Sequence, residues 1–185
     1  MTTQTSRAFI YVLAILALAA SGFQANAQQA GQPLRNPDVI YVPTPPEVVD
    51  AMLVLAGVSA TDVVYDLGSG DGRIPIAAAE KYGARAVGID INPQRIQEAN
   101  DNLAKTKLGN RVRFLNQDLF ETDISEATVV TLYLLESLNI KLMPKLKAMR
   151  KGTRIVSHSF SMGGEWVPEK TESVGGRSIY LWTIR

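Results

Sequence analysis

The chain has 185 residues, 46% of them hydrophobic and 20% charged, with a formal net charge of +1. That is one domain's worth of sequence, enough to bury about two-thirds of the unfolded surface, and it excludes disorder, collagen and coiled coil. The lack of cysteine removes disulfides, zinc–thiolate sites and cysteine nucleophiles, cytosine-C5 methylation included; with no long run of one charge sign, a nucleic-acid partner is not expected.

Residues 1–27 read as a signal peptide or short N-terminal anchor. Arg7 is the one charge, Ala8 to Ala20 is an apolar run, and Ala25-Asn26-Ala27 supplies an A-x-A pattern ahead of Gln28. A helix over that run is about 20 Å long, against a hydrocarbon core of roughly 30 Å. Removal is therefore favoured over a permanent span. The expected location is exported or periplasmic if the leader is cut. If it is kept, the domain is membrane-anchored and membrane association runs through this segment. Residues 28–40, with Pro33 and Pro37, read as a linker, and residues 41–185 as the domain.

Within the domain, Tyr41-Val42-Pro43-Thr44-Pro45-Pro46 is a stiff turn. It leads into a helix whose apolar residues are Val48, Val49, Met52, Leu53 and Ala56, stopped by Gly57. Val63-Val64-Tyr65 reads as a buried strand, 68–72 as a turn, 73–82 as a helix and 86–90 as a second strand. Asn92-Pro93 is a cap followed by proline at the first helical position, opening a helix that ends near Gly109. Strands follow at 112–115, 129–133 and 154–158. Leu138, Leu142, Leu146 and Met149 suggest a helix interrupted or restarted at Pro144 and ended by Gly152. Two β-rich runs split by Gly175-Gly176 predict a C-terminal hairpin. Alternating strands and helices imply an α/β fold, a doubly wound and mostly parallel sheet with right-handed crossovers.

The informative stretch is Asp66-Leu67-Gly68-Ser69-Gly70-Asp71-Gly72, between a strand and a helix. Glycines there let backbone approach a ligand closely. Asp90 stands at the end of the second strand, where a carboxylate accepts both hydroxyls of a ribose. Asp118 lies just past the third, placed for the exocyclic amine of a purine. A dinucleotide fingerprint needs a small residue where Arg73 stands, and a P-loop needs Gly-Lys-Ser/Thr. Asp66 would repel a pyrophosphate and suits an ammonium group. The site thus fits a phosphate-free nucleoside with a cationic tail, a description that S-adenosylmethionine meets.

These residues resemble the class I S-adenosylmethionine-dependent methyltransferases over essentially residues 41–185. The resemblance implies a Rossmann-like sheet of seven strands with an antiparallel C-terminal strand. It implies that Gly68, Gly70 and Gly72, with Ser69 and Asp71 between them, line the methionine part, and that Asp66 faces its amine. Asp90, followed by Ile91, would hold the ribose, and Asp118 with Leu119 would bracket the adenine. Tyr41-Val42-Pro43-Thr44 ahead of the glycine loop is similar to the small membrane-associated protein-lysine methyltransferases. That family includes enzymes acting on the adenine nucleotide translocase and on the ATP synthase c-subunit. By this likeness Tyr41 and Thr44 close over the cofactor or the substrate lysine, and the methyl acceptor is a protein lysine.

A lysine acceptor must lose a proton before it attacks. Tyr133 and His158 are the catalytic candidates, with Glu136 also at the expected sheet edge; for Trp166 an exposed or packed surface aromatic is favoured over a substrate lip. The segment Thr131-Leu132-Tyr133-Leu134-Leu135-Glu136 replaces the Asn/Asp-Pro-Pro-aromatic motif of adenine amino-methylating enzymes. The acidic ligands of catechol-type enzymes are missing, so no metal is expected. A small-molecule or lipid acceptor, or a binding module without turnover, are the alternatives.

Overall fold

The computed structural model describes residues 34–185. The expected leader, its A-x-A pattern and the first part of the expected linker lie outside the described residues. The compact unit begins at Leu34, so residues 34–40 pack with the domain.

Seven strands form one sheet: β1 (Val63–Leu67), β2 (Arg85–Asp90), β3 (Val112–Asn116), β4 (Val129–Leu132), β5 (Arg154–His158), β6 (Lys170–Val174) and β7 (Arg177–Thr183). Their spatial order is β3-β2-β1-β4-β5-β7-β6. The first five strands are parallel, β7 pairs antiparallel with β5, and β6 pairs antiparallel with β7. Among the described residues four α-helices flank the sheet: α1 (Pro46–Leu55), α2 (Arg73–Tyr82), α3 (Pro93–Ala104) and α4 (Glu136–Lys147). The expected seven-stranded, mostly parallel sheet is the one observed.

All five residues of β1 are buried because both faces are covered, so the strand shows no polar alternation. Tyr65 and Leu67 belong to one core with Leu132, Leu142, Leu146 and Trp182. Val64 belongs to the other, with Met52, Leu53, Ala78 and Val156. The chain runs outward from β1 through β2 to β3, then returns to place β4 on the other side of β1. That reversal opens a crevice at the carboxyl ends of β1 and β4, where open α/β sheets bind ligands.

Two elements differ from expectation. Helix α3 ends at Ala104 rather than near Gly109: the amides of Lys105 and Thr106 turn back to the carbonyls three residues earlier, and the Thr106 hydroxyl donates to Leu103 O at 2.7 Å. Helix α4 runs unbroken through Pro144 and stops at Lys147. An interior proline forfeits one helical hydrogen bond and crowds the preceding turn. Burial of Leu142, Met143 and Leu146 on the sheet offsets that cost, each contributing about 1.5–3 kcal/mol.

Candidate active site

A cavity of about 640 Å³ opens at this crevice, within the range of small-molecule sites. Its floor is the loop after β1. The amides of Gly68 and Ser69 both donate to Ile89 O, at 2.8 and 2.9 Å, and Gly72 N donates to Ser69 O at 2.9 Å. Gly70 has φ 52° and Gly72 φ 80°. A Cβ on Gly70 would sit 2.2 Å from the Tyr41 ring, and one on Gly72 would sit 2.4 Å from the Phe114 ring and 2.9 Å from Ala99 Cβ. Gly70 is thus demanded by the segment above it and Gly72 by β3 and α3 beside it. Neither borders the cavity, whereas Gly68, Ser69 and Asp71 do.

Asp66, at the carboxyl end of β1, is 3% exposed. Its Oδ1 accepts from Thr131 Oγ1 at 2.7 Å, across the register pair that joins β1 to β4. No cation pairs with it among the described residues. Burial pushes its carboxyl up to about 7, the neighbouring charges of Asp90 and Asp71 adding to the rise and Thr131 opposing it. A buried carboxylate facing a cavity without a counter-ion fits an ammonium ligand and disfavours a phosphate.

Asp90 ends β2. Its Oδ2 accepts from Gly70 N at 2.9 Å and its Oδ1 from Asn92 N at 2.8 Å. Asn116 Nδ2 donates to the carbonyls of Asp90 and Ile91, both at 3.0 Å. The carboxylate is therefore fixed in place at the cavity wall, next to Ile91 and Asn92. Asp118 and Leu119 line the far side. Asp118 is not free: Arg35 grips both its oxygens, Nε at 2.6 Å and Nη2 at 3.2 Å. Burial tends to raise the Asp118 carboxyl, but the Arg35 hydrogen bond and the Phe120 amide outweigh it and hold it below the usual carboxylate range.

Residues 35–44 cross the cavity. Arg35 also meets Asp38 at 2.5 Å and lies over the Phe120 ring. The Tyr41 ring covers Gly70 and carries the Arg95 guanidinium 4.8 Å from its centre. Arg73 pairs with Asp71 through Nη2 at 2.6 Å and Nε at 2.9 Å, and donates through Nη1 to Thr44 O at 2.8 Å. Sequence reasoning misses Arg35, Arg73, Arg95 and Thr131 as parts of the site. Arg73 stands directly after the glycine loop, where in the sequence it speaks against dinucleotide binding and closes the motif shared with the small protein-lysine methyltransferases, but neither reading assigns it a role in the site.

Tyr133, just past β4, lines the cavity. Its ring lies against that of His158, centroids 3.8 Å apart and planes tilted by 33°. His158 is fully buried and does not border the cavity; its Nδ1 lies 3.1 Å from Thr44 Oγ1. Burial, helped by the Arg177 charge, lowers its pKa to about 4, so the imidazole is neutral at pH 7. Glu136 is exposed, bonded to Ser161 Oγ at 2.8 Å, and stands outside the cavity. Trp166 packs on Trp182, opposite the start of β5, and its carbonyl accepts from Trp182 Nε1 at 2.8 Å. It forms no lip to the cavity. Among the described residues no cluster of three His, Asp or Glu side chains is arranged to hold a metal.

Comparison with known proteins agrees with this geometry. The family model of the ANTKMT methyltransferase domain matches residues 66–170. A protein-lysine N-methyltransferase of Saccharolobus islandicus is 47% identical over 154 residues, 80% of this chain and 95% of the relative. The ATP synthase c-subunit lysine N-methyltransferase of Caenorhabditis elegans is 30% identical over 135 residues, 70% of each chain. A crystal structure described as an RNA methyltransferase from Salinibacter ruber, in complex with S-adenosyl-L-homocysteine, is 55% identical with a TM-score of 0.75; the match covers 77% of this chain and 94% of that one. The carboxylate-lined crevice and these matches agree: the chain belongs to the ANTKMT methyltransferase domain family and is an S-adenosylmethionine-dependent methyltransferase.

Proposed function

We infer that the acceptor is the ε-amine of a lysine in a protein substrate. The observation that carries this reading is the 47% identity to a protein-lysine N-methyltransferase across 95% of that relative. S-adenosylmethionine supplies an electrophilic methyl group on its sulfonium. The chain's own task is placement, and orientation of two reactants is worth about 7–11 kcal/mol of barrier. In this reading Asp66 receives the cofactor's ammonium group and Asp90 its ribose hydroxyls. Asp118, with Arg35 on its other side, and Leu119 border the adenine. Tyr133, the candidate catalytic residue that reaches the cavity, receives the lysine, whose amine must arrive neutral. His158 stands one layer behind, neutral, and serves Thr44 and Tyr133 rather than the substrate. The apolar run Ala8 to Ala20 and the Ala25-Asn26-Ala27 pattern support a leader that exports the domain or tethers it to a membrane.

An RNA acceptor is the second reading, favoured by the description of the Salinibacter structure. The cavity mouth speaks against it. Arg35, Arg73 and Arg95 are each paired with a carboxylate, Asp118, Asp71 and Glu98 respectively. The cavity-lining residues Ile40 and Val42 are exposed and apolar. A phosphate backbone requires uncompensated cations. Incubation of the purified protein with methyl-labelled cofactor and cell lysate distinguishes the two. Label recovered as methyllysine after acid hydrolysis supports the lysine reading. Label removed by ribonuclease overturns it.

A further inference from the structure

One residue of the cavity wall is held from two directions, through its backbone and through its side chain. Thr44 is 4% exposed and borders the cavity. Its carbonyl accepts from Arg73 Nη1 at 2.8 Å, and its hydroxyl lies 3.1 Å from His158 Nδ1. His158 is itself fully buried at the end of β5, with the Tyr133 ring against its face. Its other ring nitrogen, Nε2, has no partner among the described residues.

That asymmetry selects a tautomer. A neutral imidazole carries one N–H. Placing it on Nε2 would bury a donor with nothing to receive it, and orphaned buried N–H groups are rare, more so than unfilled acceptors. Placing it on Nδ1 lets the ring donate to Thr44 Oγ1 and leaves only a bare lone pair at Nε2. The Thr44 oxygen then has its own proton to give. With His158 behind it, that proton has the cavity to point into.

We propose that His158 is a positioning residue that turns the Thr44 hydroxyl into a hydrogen-bond donor toward the carboxylate of the cofactor's methionine moiety. The inference rests on the reading of the cavity as the S-adenosylmethionine site. A donor belongs on the cofactor side. An attacking lysine amine needs its lone pair for the methyl group, and a hydroxyl donating to it would compete for that pair. A carboxylate needs donors, and the nearby Arg73 already serves Asp71 and the Thr44 carbonyl. Thr44 therefore touches the cofactor rather than the lysine.

His158 is the only histidine in the chain, which makes the tautomer directly readable. In the untagged, nitrogen-15-labelled full chain, one imidazole spin system is observed. The proposal expects the proton on Nδ1; a proton on Nε2 overturns it. A second experiment titrates S-adenosylmethionine and 5′-methylthioadenosine, which lacks the amino-acid part, into wild-type, Thr44→Val, His158→Phe and His158→Asn proteins. Loss of a hydrogen bond to a charged group weakens binding about 10- to 150-fold. Thr44→Val and His158→Phe should show losses in that range for S-adenosylmethionine and less than about threefold for methylthioadenosine. Asparagine, whose amide can replace the Nδ1 donor, should restore most of the affinity. Equal losses for both ligands indicate a merely structural role and overturn the proposal, as does unchanged binding in Thr44→Val. Thr44→Val decides the matter even if His158→Phe does not fold. A wild-type protein that binds neither ligand overturns the functional reading and this inference with it. Wild-type binding with unselective loss overturns this inference alone.

Discussion

Replacing Asp66 by asparagine is expected to stabilise the free protein while weakening its hold on the cofactor. The carboxyl is buried at 3% exposure and pushed up to about 7, chiefly by burial. In the unfolded chain it titrates near 3.8. Between those values the folded state binds more protons than the unfolded one, so stability of the free protein falls as pH rises from about 4 to about 7 and is level above. At 1.36 kcal/mol per unit, the penalty above pH 7 reaches about 4 kcal/mol. Asparagine keeps an acceptor for Thr131 and removes the charge, so the variant should gain a few kcal/mol at pH 8 and nothing at pH 4.

Cofactor binding has the opposite dependence. An ammonium group favours the ionised carboxylate, so affinity for S-adenosylmethionine is complete above about pH 7 and falls up to tenfold per unit below it, with a proton released on binding. Loss of a charge-assisted contact costs about 1.5–3 kcal/mol, so Asp66→Asn should bind about 10- to 150-fold more weakly at pH 8. The gap should close toward pH 5.5. Calorimetric titrations from pH 5.5 to 8.5, in buffers of different ionisation enthalpy, measure both the affinity and the proton. A wild-type affinity flat over that range, or an Asp66→Asn variant that binds as wild type at pH 8, would refute the reasoning.

Asp90→Ala removes the acceptor of the Gly70 and Asn92 amides along with the expected ribose contact. Cofactor affinity should drop about 10- to 150-fold in the same calorimetric assay, and an unchanged dissociation constant would remove Asp90 from the site. Gly72→Ala places a methyl 2.4 Å from the Phe114 ring at a φ of 80°, so urea unfolding should show a loss of about 1–3 kcal/mol. A stability within 0.5 kcal/mol (on the order of ordinary surface substitutions) would contradict that packing. Arg35→Ala breaks a pair that is 37% exposed on the arginine side, so thermal unfolding should change by no more than about 1 kcal/mol, and less at high salt. A larger loss would mean that residues 34–44 anchor the whole domain.

What can be read from the sequence is local. Helix α2 occupies 73–82 as expected because glycines in left-handed conformation bound it on both sides, Gly72 and Gly83. The hairpin at Gly175-Gly176 is equally plain, since two β-rich runs split by a Gly-Gly pair have few other readings. The carboxylates at the ends of β1 and β2 are legible because a parallel sheet places successive strand ends on one edge. Contacts between residues distant in sequence are not. Arg35 meets Asp118 across 83 positions, and no local pattern encodes that pairing. Thr131 reaches Asp66 only through the register of β1 on β4. Pro144 misleads because the local rule against interior proline is outweighed by burial of α4 on the sheet. Trp166 is half-buried against Trp182, in keeping with a packed surface aromatic, but the identity of that partner is set by strand pairing rather than by sequence neighbourhood.

The central claim is met most directly by a crystal structure of this protein with S-adenosylhomocysteine. The account predicts the ligand in the crevice at the ends of β1 and β4, its ammonium group within hydrogen-bond distance of Asp66 and its ribose hydroxyls on Asp90. A ligand bound elsewhere, or one that turns its carboxylate toward Asp66, would contradict it.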